Sequence, residues 1–188
     1  MIDLFQSIQR LQDLLDSAGI PSIVIGGIAA AIWGEPRVTR DVDLKLLLRR
    51  EESERLLSLL ASDYTTLLPD PRWALQKQAT LFILDQSGAR LDLLLGDTPY
   101  DILAIERRRE IEVQPELCVR TCSPEDLVIY KLISTRSRDH EDVKGIIRKQ
   151  GDKLDKAYIL DWLGQFERAL DDSTLLAEFK TLISNSDG

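Results

Sequence analysis

Residues 24–48 read VIGGIAAAIWGEPRVTRDVDLKLLL, and this stretch decides the fold. A short apolar run is broken by two glycines before the small-residue stretch IAAAIW, which predicts a strand, a glycine turn and a helix. A turn at Gly34-Glu35-Pro36 then leads into DVDLKLLL, which predicts a second strand. Asp41 and Asp43 lie two residues apart on that strand. Their side chains therefore share one face, with Cβ atoms roughly 7 Å apart.

The aspartate pair indicates a divalent cation. Two carboxylates held this close repel each other unless a cation lies between them. Mg²⁺ prefers oxygen ligands, is usually held by one or two protein carboxylates, and completes its shell with water and substrate phosphates. The alternative interpretation is a pair of solvated aspartates at the start of a strand, so a magnesium site needs support from other residues.

Three further features support phosphate chemistry. Gly26 and Gly27 stand between strand and helix, where bare backbone N–H groups can hold a phosphate. Asp92 lies in the apolar strand RLDLLL, where a carboxylate without a partner is costly and a metal ion would remove the cost. Arg37, Thr39 and Arg40 bring positive charge and hydrogen-bond donors next to the expected triphosphate. We therefore predict a nucleotide site around the three aspartates.

Together, the glycine pair, the Asp-x-Asp strand and the later apolar strand with Asp92 resemble the nucleotidyltransferase superfamily typified by DNA polymerase β. The resemblance implies that Asp41 and Asp43 bind metal ions and that Asp92 positions or deprotonates the attacking hydroxyl. It also implies an NTP substrate and two Mg²⁺ ions, as in-line displacement between two metals requires. We treat all three aspartates as candidate catalytic residues and candidate metal ligands.

A closer resemblance is to the AbiEii/AbiGii-type nucleotidyltransferases, whose first motif is Gly-Gly-x-Ala followed by Arg-x-Thr-x-Asp-x-Asp. The matching positions here are Gly26, Gly27, Ala29, Arg37, Thr39, Asp41 and Asp43. Many members are toxins of toxin–antitoxin pairs, and some transfer nucleotides to tRNA. The resemblance therefore implies tRNA or protein as the acceptor and a cognate antitoxin as a partner.

The same family has a helical motif, which KLISTRSRDHED at residues 131–142 matches in part. In this resemblance Lys131 contacts the nucleotide triphosphate, with Arg138, Asp139 and Asp142 as possible supporting residues. Lys131 and Arg138 are seven residues apart and share one helix face. The alternative is an exposed charged helix with ion pairs between neighbouring turns.

The expected fold is a minimal nucleotidyltransferase fold of the α/β (α+β) class, with a mixed sheet flanked by helices and a C-terminal helical section. TLFILD and ARLDLLL predict an antiparallel hairpin around Gln86-Ser87-Gly88. REIEV and LCVRT predict a further short pair. From Ser123 onward a capping signal and helical periodicity predict helices only. We expect a catalytic domain over residues 1–122 and a helical section over 123–188.

Composition narrows the class of protein. With 24 basic and 32 acidic residues, the net charge of −8 argues against bulk DNA binding. No apolar run reaches membrane-spanning length, so we expect a cytoplasmic protein without membrane contact. Cys118 and Cys122 are expected to be reduced and structural. Three tryptophans are expected in the core: Trp33, Trp73 and Trp162.

Two other functions stay open. The enzyme could transfer a nucleotide to a small molecule such as an antibiotic, which a short helical section would favour. A non-catalytic alternative is a nucleotide-binding interaction module that pairs with an antitoxin-like partner.

Overall fold

The structure is a computed structural model that describes residues 3–36, 38–39, 41–134 and 136–185, with only the backbone at Ser137. The described helices are α1 Leu4–Ser17, α2 Gly26–Trp33, α3 Ser53–Leu60, α4 Pro71–Trp73, α5 Pro99–Glu106, α6 Pro124–Leu132, α7 Ser137–Gln150, α8 Lys156–Leu170 and α9 Leu175–Ser184. The described strands are β1 Ser22–Ile25, β2 Asp41–Leu46, β3 Tyr64–Thr66, β4 Thr80–Asp85, β5 Arg90–Leu95, β6 Arg109–Gln114 and β7 Leu117–Thr121.

Within the described residues the strands form one seven-stranded mixed sheet in the order β3-β4-β5-β2-β1-β7-β6. The β2–β5 and β1–β7 pairs are parallel, and the other neighbouring pairs are antiparallel. The expected fold class is confirmed, including the β4–β5 hairpin and the β6–β7 pair.

The two central strands, β2 and β5, have the same alternating burial. Every second side chain is in the core, and those between are partly or fully exposed. The buried set is Val42, Leu44, Leu46, Leu91, Leu93 and Leu95. Because side chains of a strand alternate between its two faces, the same pattern places the polar residues together on the opposite face.

The chain folds into two compact units. The first, here called the sheet unit, comprises the chain up to Ile28 and Thr39–Cys122. The second, here called the helical unit, comprises Ala29–Val38 and the chain from Ser123 onward. The predicted domain division after residue 122 stays a prediction. In the described part of the chain, no helix is long and apolar enough to cross a membrane.

The helical unit has a buried polar network where α6 begins. Ser123 caps the helix by accepting from the backbone N–H of Asp126, and its hydroxyl donates to the Asp126 carboxylate at 2.5 Å. The Tyr158 hydroxyl of α8 donates to the same carboxylate at 2.7 Å. Asp126 is fully buried, so these bonds offset the cost of removing its charge from water.

The expectation of a buried Trp73 is wrong, because 51% of this residue is exposed. Trp73 ends α4, and a π-helical turn continues from Ala74 to Gln78. Ala74 and Leu75 fill the core at this point. Residues two apart on a helix point to nearly opposite sides, so burying Leu75 turns Trp73 outward. Cys118 and Cys122 are free cysteines, as expected.

Candidate active site

Charged side chains cluster on one face of β2 and β5 in the sheet unit, where both strands begin. Lys45, further along β2 on the same face, is paired with Asp101 at 2.5 Å. The parallel register pairs Asp43 with Asp92 and Asp41 with Arg90. Paired residues on neighbouring strands point to the same side, as do residues two apart on one strand. We call Asp41, Asp43, Arg90 and Asp92 the carboxylate face. The fold thus brings the three predicted catalytic aspartates together on one surface.

The start of α2 contributes space to this face. Gly26 has a φ of 63°, a backbone conformation that favours glycine. A Cβ atom at this position would lie 1.9 Å from Asp43 Oδ2. Gly26 is therefore required both for the turn from β1 into α2 and for the position of the Asp43 carboxylate. Phosphate binding by Gly26 and Gly27 stays a prediction.

Arg90 is a site residue that the sequence analysis missed. Its Nε donates to Asp92 Oδ1 at 2.8 Å, and its Nη2 donates to Asp92 Oδ2 at 3.0 Å. The same Nε lies 4.0 Å from Asp41 Oδ1. The guanidinium also lies over the Phe82 ring, 5.0 Å from its centroid. The partner that the half-buried Asp92 needs is thus an arginine two residues earlier on the same strand, and this spacing was the available signal.

The surrounding carboxylates favour the charged form of Arg90. Its hydrogen bonds to Asp92, together with the negative charges of Asp92, Asp41 and Asp43, raise the pKa of Arg90 above its ordinary value, although burial acts the other way. The guanidinium therefore stays protonated and permanently offsets part of the negative charge of this face.

The donor set of the carboxylate face suits magnesium that arrives with a nucleotide. Among the described residues, no group of three or more His, Cys, Asp or Glu side chains is gathered closely enough to hold a metal ion alone. Magnesium needs only one or two protein carboxylates when phosphates and water complete its shell. One or two of the predicted ligands Asp41, Asp43 and Asp92 would hold such an ion through carboxylate oxygens, and the Asp43 carboxylate lies in the space that Gly26 leaves by lacking a side chain.

Two predicted nucleotide-binding residues precede β2. The Thr39 hydroxyl donates to the backbone carbonyl of Asp41 at 3.1 Å, which fixes the backbone where the strand begins. Arg37 lies outside the described residues. Nucleotide binding by either residue stays a prediction.

The predicted residues of the helical unit form a separate, buried cluster. Lys131 Nζ of α6 donates to Asp139 Oδ1 at 2.5 Å and to Asp142 Oδ2 at 2.8 Å, both on α7. We call these three residues the lysine cluster. All three side chains are at most 10% exposed. Arg138 is exposed.

Ionisation of Asp139 is coupled to this geometry. Burial alone would raise its pKa, but hydrogen bonds from Lys131 and Ser134 and the charge of Lys131 hold the pKa of Asp139 below its ordinary value. Two of the three N–H donors of Lys131 are engaged by carboxylates. Contact with a triphosphate, as predicted, would have to use the third donor or exchange one of these bonds.

Comparison with known families gives this arrangement a context. The profile of a family described as "Nucleotidyltransferase of unknown function (DUF6036)" matches residues 1–158. The chain belongs to this family. The predicted nucleotidyltransferase superfamily is thereby confirmed. No curated protein matches the chain.

Solved structures share the fold of this DUF6036 protein. An antigenic nucleotidyltransferase-like protein from Paracoccidioides brasiliensis is 21% identical, with a TM-score of 0.53 over 77% of this chain and 73% of its own. The lincosamide antibiotic adenylyltransferase LnuA, lincomycin-bound, is 12% identical, with a TM-score of 0.51 over 78% of this chain and 96% of its own. ANT(2")-Ia in complex with adenylyl-2"-tobramycin is 14% identical, with a TM-score of 0.55 over 87% and 98%. At these identities the likeness shows the fold alone.

Proposed function

We propose that the protein transfers a nucleoside monophosphate from an NTP to a hydroxyl acceptor and releases pyrophosphate. The observation that carries the proposal is the register of β2 and β5, which brings three aspartates to one face in a member of a nucleotidyltransferase family. A solvated aspartate pair would not require a third carboxylate directly across the strand.

The reaction forms a bond between the acceptor oxygen and the α-phosphorus and breaks the bond from the α-phosphorus to the bridging oxygen of the leaving pyrophosphate. The acceptor proton passes to a base, and Asp92 is the proposed base or positioning group. Asp92 is half-buried on the strand next to Asp43, so it is fixed by the sheet rather than by a loop. A fixed group loses little freedom when the acceptor binds.

Magnesium bound by Asp41, Asp43 and Asp92 would neutralise charge on the phosphates during displacement. Gly26 and Gly27 would keep the approach to Asp43 open and present backbone N–H groups to a phosphate. Thr39 and Arg37 would bind near the same phosphates. Lys131, supported by Asp139, Asp142 and Arg138, is proposed to assist nucleotide binding.

The remaining alternatives differ in the molecule that accepts the nucleotide. The AbiEii/AbiGii resemblance of the first motif supports tRNA or protein as the acceptor, with an antitoxin as partner. The fold likeness to LnuA and ANT(2")-Ia, whose structures contain lincomycin and an adenylyl-tobramycin, supports a small-molecule acceptor as the second candidate. Binding of an NTP without transfer to any acceptor would instead support an interaction module.

The test is transfer of label from each α-³²P-labelled NTP, with Mg²⁺, to a panel of tRNA, protein, lincomycin and tobramycin. Asp41→Ala and Asp92→Asn should lower transfer by about a hundredfold or more, since each removes a group acting on the reacting atoms. Asp161→Ala, which removes an exposed carboxylate of α8, should leave transfer unchanged. Label transfer that survives Asp41→Ala would refute the proposal.

A further inference from the structure

Arg90 gives the carboxylate face a cation of its own. Among the described residues, the carboxylates of Asp41, Asp43 and Asp92 lie on the same face as this guanidinium, on two neighbouring strands. The guanidinium lies between Asp92, to which it is hydrogen-bonded, and Asp41, which is 4.0 Å away. It therefore lies within reach of carboxylates on both strands.

The geometry of this contact uses both oxygens of Asp92. The two parallel hydrogen bonds, 2.8 Å and 3.0 Å long, form the bidentate fork that makes arginine–carboxylate pairs strong and directional. A divalent cation bound by Asp92 needs electrons from the same oxygens. Two cations that share one carboxylate repel each other, so each weakens the binding of the other.

Phe82 gives the guanidinium a second contact on the same face. The ring lies on β4 directly across from Asp92, and its centroid is 5.0 Å from the guanidinium carbon. A cation over an aromatic face is stabilised by the ring quadrupole. Arg90 can therefore release Asp92 and keep part of its stabilisation, which lowers the cost of an exchange.

We propose, on the basis of the proposed function, that Arg90 is a positioning residue that holds Asp92 in the metal-free protein and is exchanged for the divalent cation when the cation binds. Arg90 thus sets the metal affinity of the site. It keeps the three carboxylates from repelling one another before the metal arrives, and it makes metal binding weaker than the carboxylates alone would allow.

If Arg90 has this role, replacing it should strengthen metal binding and at the same time lower the stability of the metal-free protein. Arg90→Gln should bind Mn²⁺ about tenfold more tightly, because a unit charge a few ångströms from a divalent ion changes affinity by about that factor even in water-like surroundings. The same variant without metal should melt at a lower temperature, by up to about 4 °C, since the carboxylates lose their counter-ion. A residue with a structural role alone would lower the melting temperature without tightening metal binding.

The experiment is an EPR titration of the whole chain with Mn²⁺, without nucleotide, alongside metal-free thermal melting. Arg90→Lys keeps the charge without the fork and should stay within about threefold of the parent affinity, because the charge dominates the competition. Arg72→Gln is the matched control, since it removes an exposed arginine paired with Glu54 in the same unit. It should leave Mn²⁺ affinity unchanged. Asp92→Asn should weaken Mn²⁺ binding.

The outcomes separate this inference from the proposed function. Tighter Mn²⁺ binding by Arg90→Gln, with weaker binding by Asp92→Asn, supports the exchange. Parent protein that binds Mn²⁺ while Arg90→Gln binds equally or more weakly overturns the exchange and leaves the proposed function standing. If neither the parent nor Arg90→Gln binds Mn²⁺ without nucleotide, the exchange is overturned. The metal dependence of the proposed function is then decided separately, by label transfer from an NTP with and without Mg²⁺.

Discussion

The carboxylate face and the lysine cluster solve the same electrostatic problem in different surroundings. On the face, one guanidinium partly balances three carboxylates whose side chains reach 56% exposure at Asp41. In the cluster, one ammonium is shared by two carboxylates, and every side chain is at most 10% exposed. Water screens the charges of the face, whereas the buried cluster depends on the charges and hydrogen-bond donors packed around it. Exposure would therefore allow the Arg90 guanidinium to be exchanged for another cation, whereas the buried Lys131 ammonium is retained.

The largest expected effect comes from breaking the lysine cluster. Lys131→Met removes the ammonium group that two buried carboxylates share, and we expect a loss of about 3–5 kcal/mol in the free energy of unfolding. Chemical denaturation followed by circular dichroism measures it. The combined variant Lys131→Met, Asp139→Asn, Asp142→Asn removes the stranded charges and should recover most of the loss.

A matched control is a lysine of α7 whose ion pair is exposed. Lys144→Met removes an exposed lysine that pairs with Glu141 on the same helix, and it should change stability by less than about 0.5 kcal/mol. If Lys131→Met proves as mild as Lys144→Met, the cluster is not balanced as described. The combined variant lacks Lys131 but should remain folded. Calorimetry on this variant therefore measures the contribution of the lysine cluster to NTP binding separately from its contribution to folding.

A smaller effect is expected where the backbone approaches the carboxylate face. Gly26→Ala adds a methyl group at a φ of 63° and directly against Asp43 Oδ2, and we expect a cost of about 1–3 kcal/mol. Gly19→Ala is the control for the backbone conformation, because Gly19 has a φ of 68° and its added Cβ would meet only Arg55 Nη2, at 3.9 Å. Thermal melting compares the two. Equal costs would mean that the Asp43 side chain moves aside without penalty.

The smallest expected effect is the acid dependence contributed by Asp139. Its folded-state pKa lies below the ordinary value, so its contribution to stability is fully present above about pH 4, the ordinary pKa of an aspartate. That contribution is lost as the pH falls through the lowered folded-state pKa. Asp139→Asn mimics the protonated side chain and should show a shallower loss of stability over this range. Parallel denaturation curves from pH 5 to pH 2 for both proteins would contradict the assignment.

The strands were predictable where alternation was strong. β2 carries apolar residues at every second position, which is the pattern of a strand with one buried face, and β4 and β5 are short apolar runs separated by a glycine turn. β3 has only three residues, Tyr64–Thr66, too few to show a period. Helix α5 was missed although Thr98 and Pro99 form a clear start, with Thr98 accepting from the N–H of Asp101. Its apolar residues follow no single stripe, and the capping signal was overlooked.

The candidate site was predictable as a set of residue types but not as a set of contacts. Asp41, Asp43 and Asp92 could be grouped because strand periodicity determines which face each occupies. Their direct alignment across β2 and β5 depends on register, which arises from packing of the buried face. Arg90 was missed because the cost of burying Asp92 was assigned to a metal. The guanidinium of Arg90, on the same strand, offsets that cost through two hydrogen bonds to Asp92.

The chain enters the helical unit twice, first through Ala29–Val38 and again from Ser123 onward. Lys149 at the end of α7 donates to the backbone carbonyls of Ile32 and Gly34, and Gln150 donates to that of Trp33. These bonds satisfy carbonyls at the C-terminal end of α2 that have no partner within their own helix. A gene fragment that ends after residue 122 would therefore encode α2 without the side chains that bind the carbonyls at its C-terminal end. Exchange of C-terminal sections between relatives by a single crossover would meet the same obstacle, so the two units are not interchangeable modules along the chain.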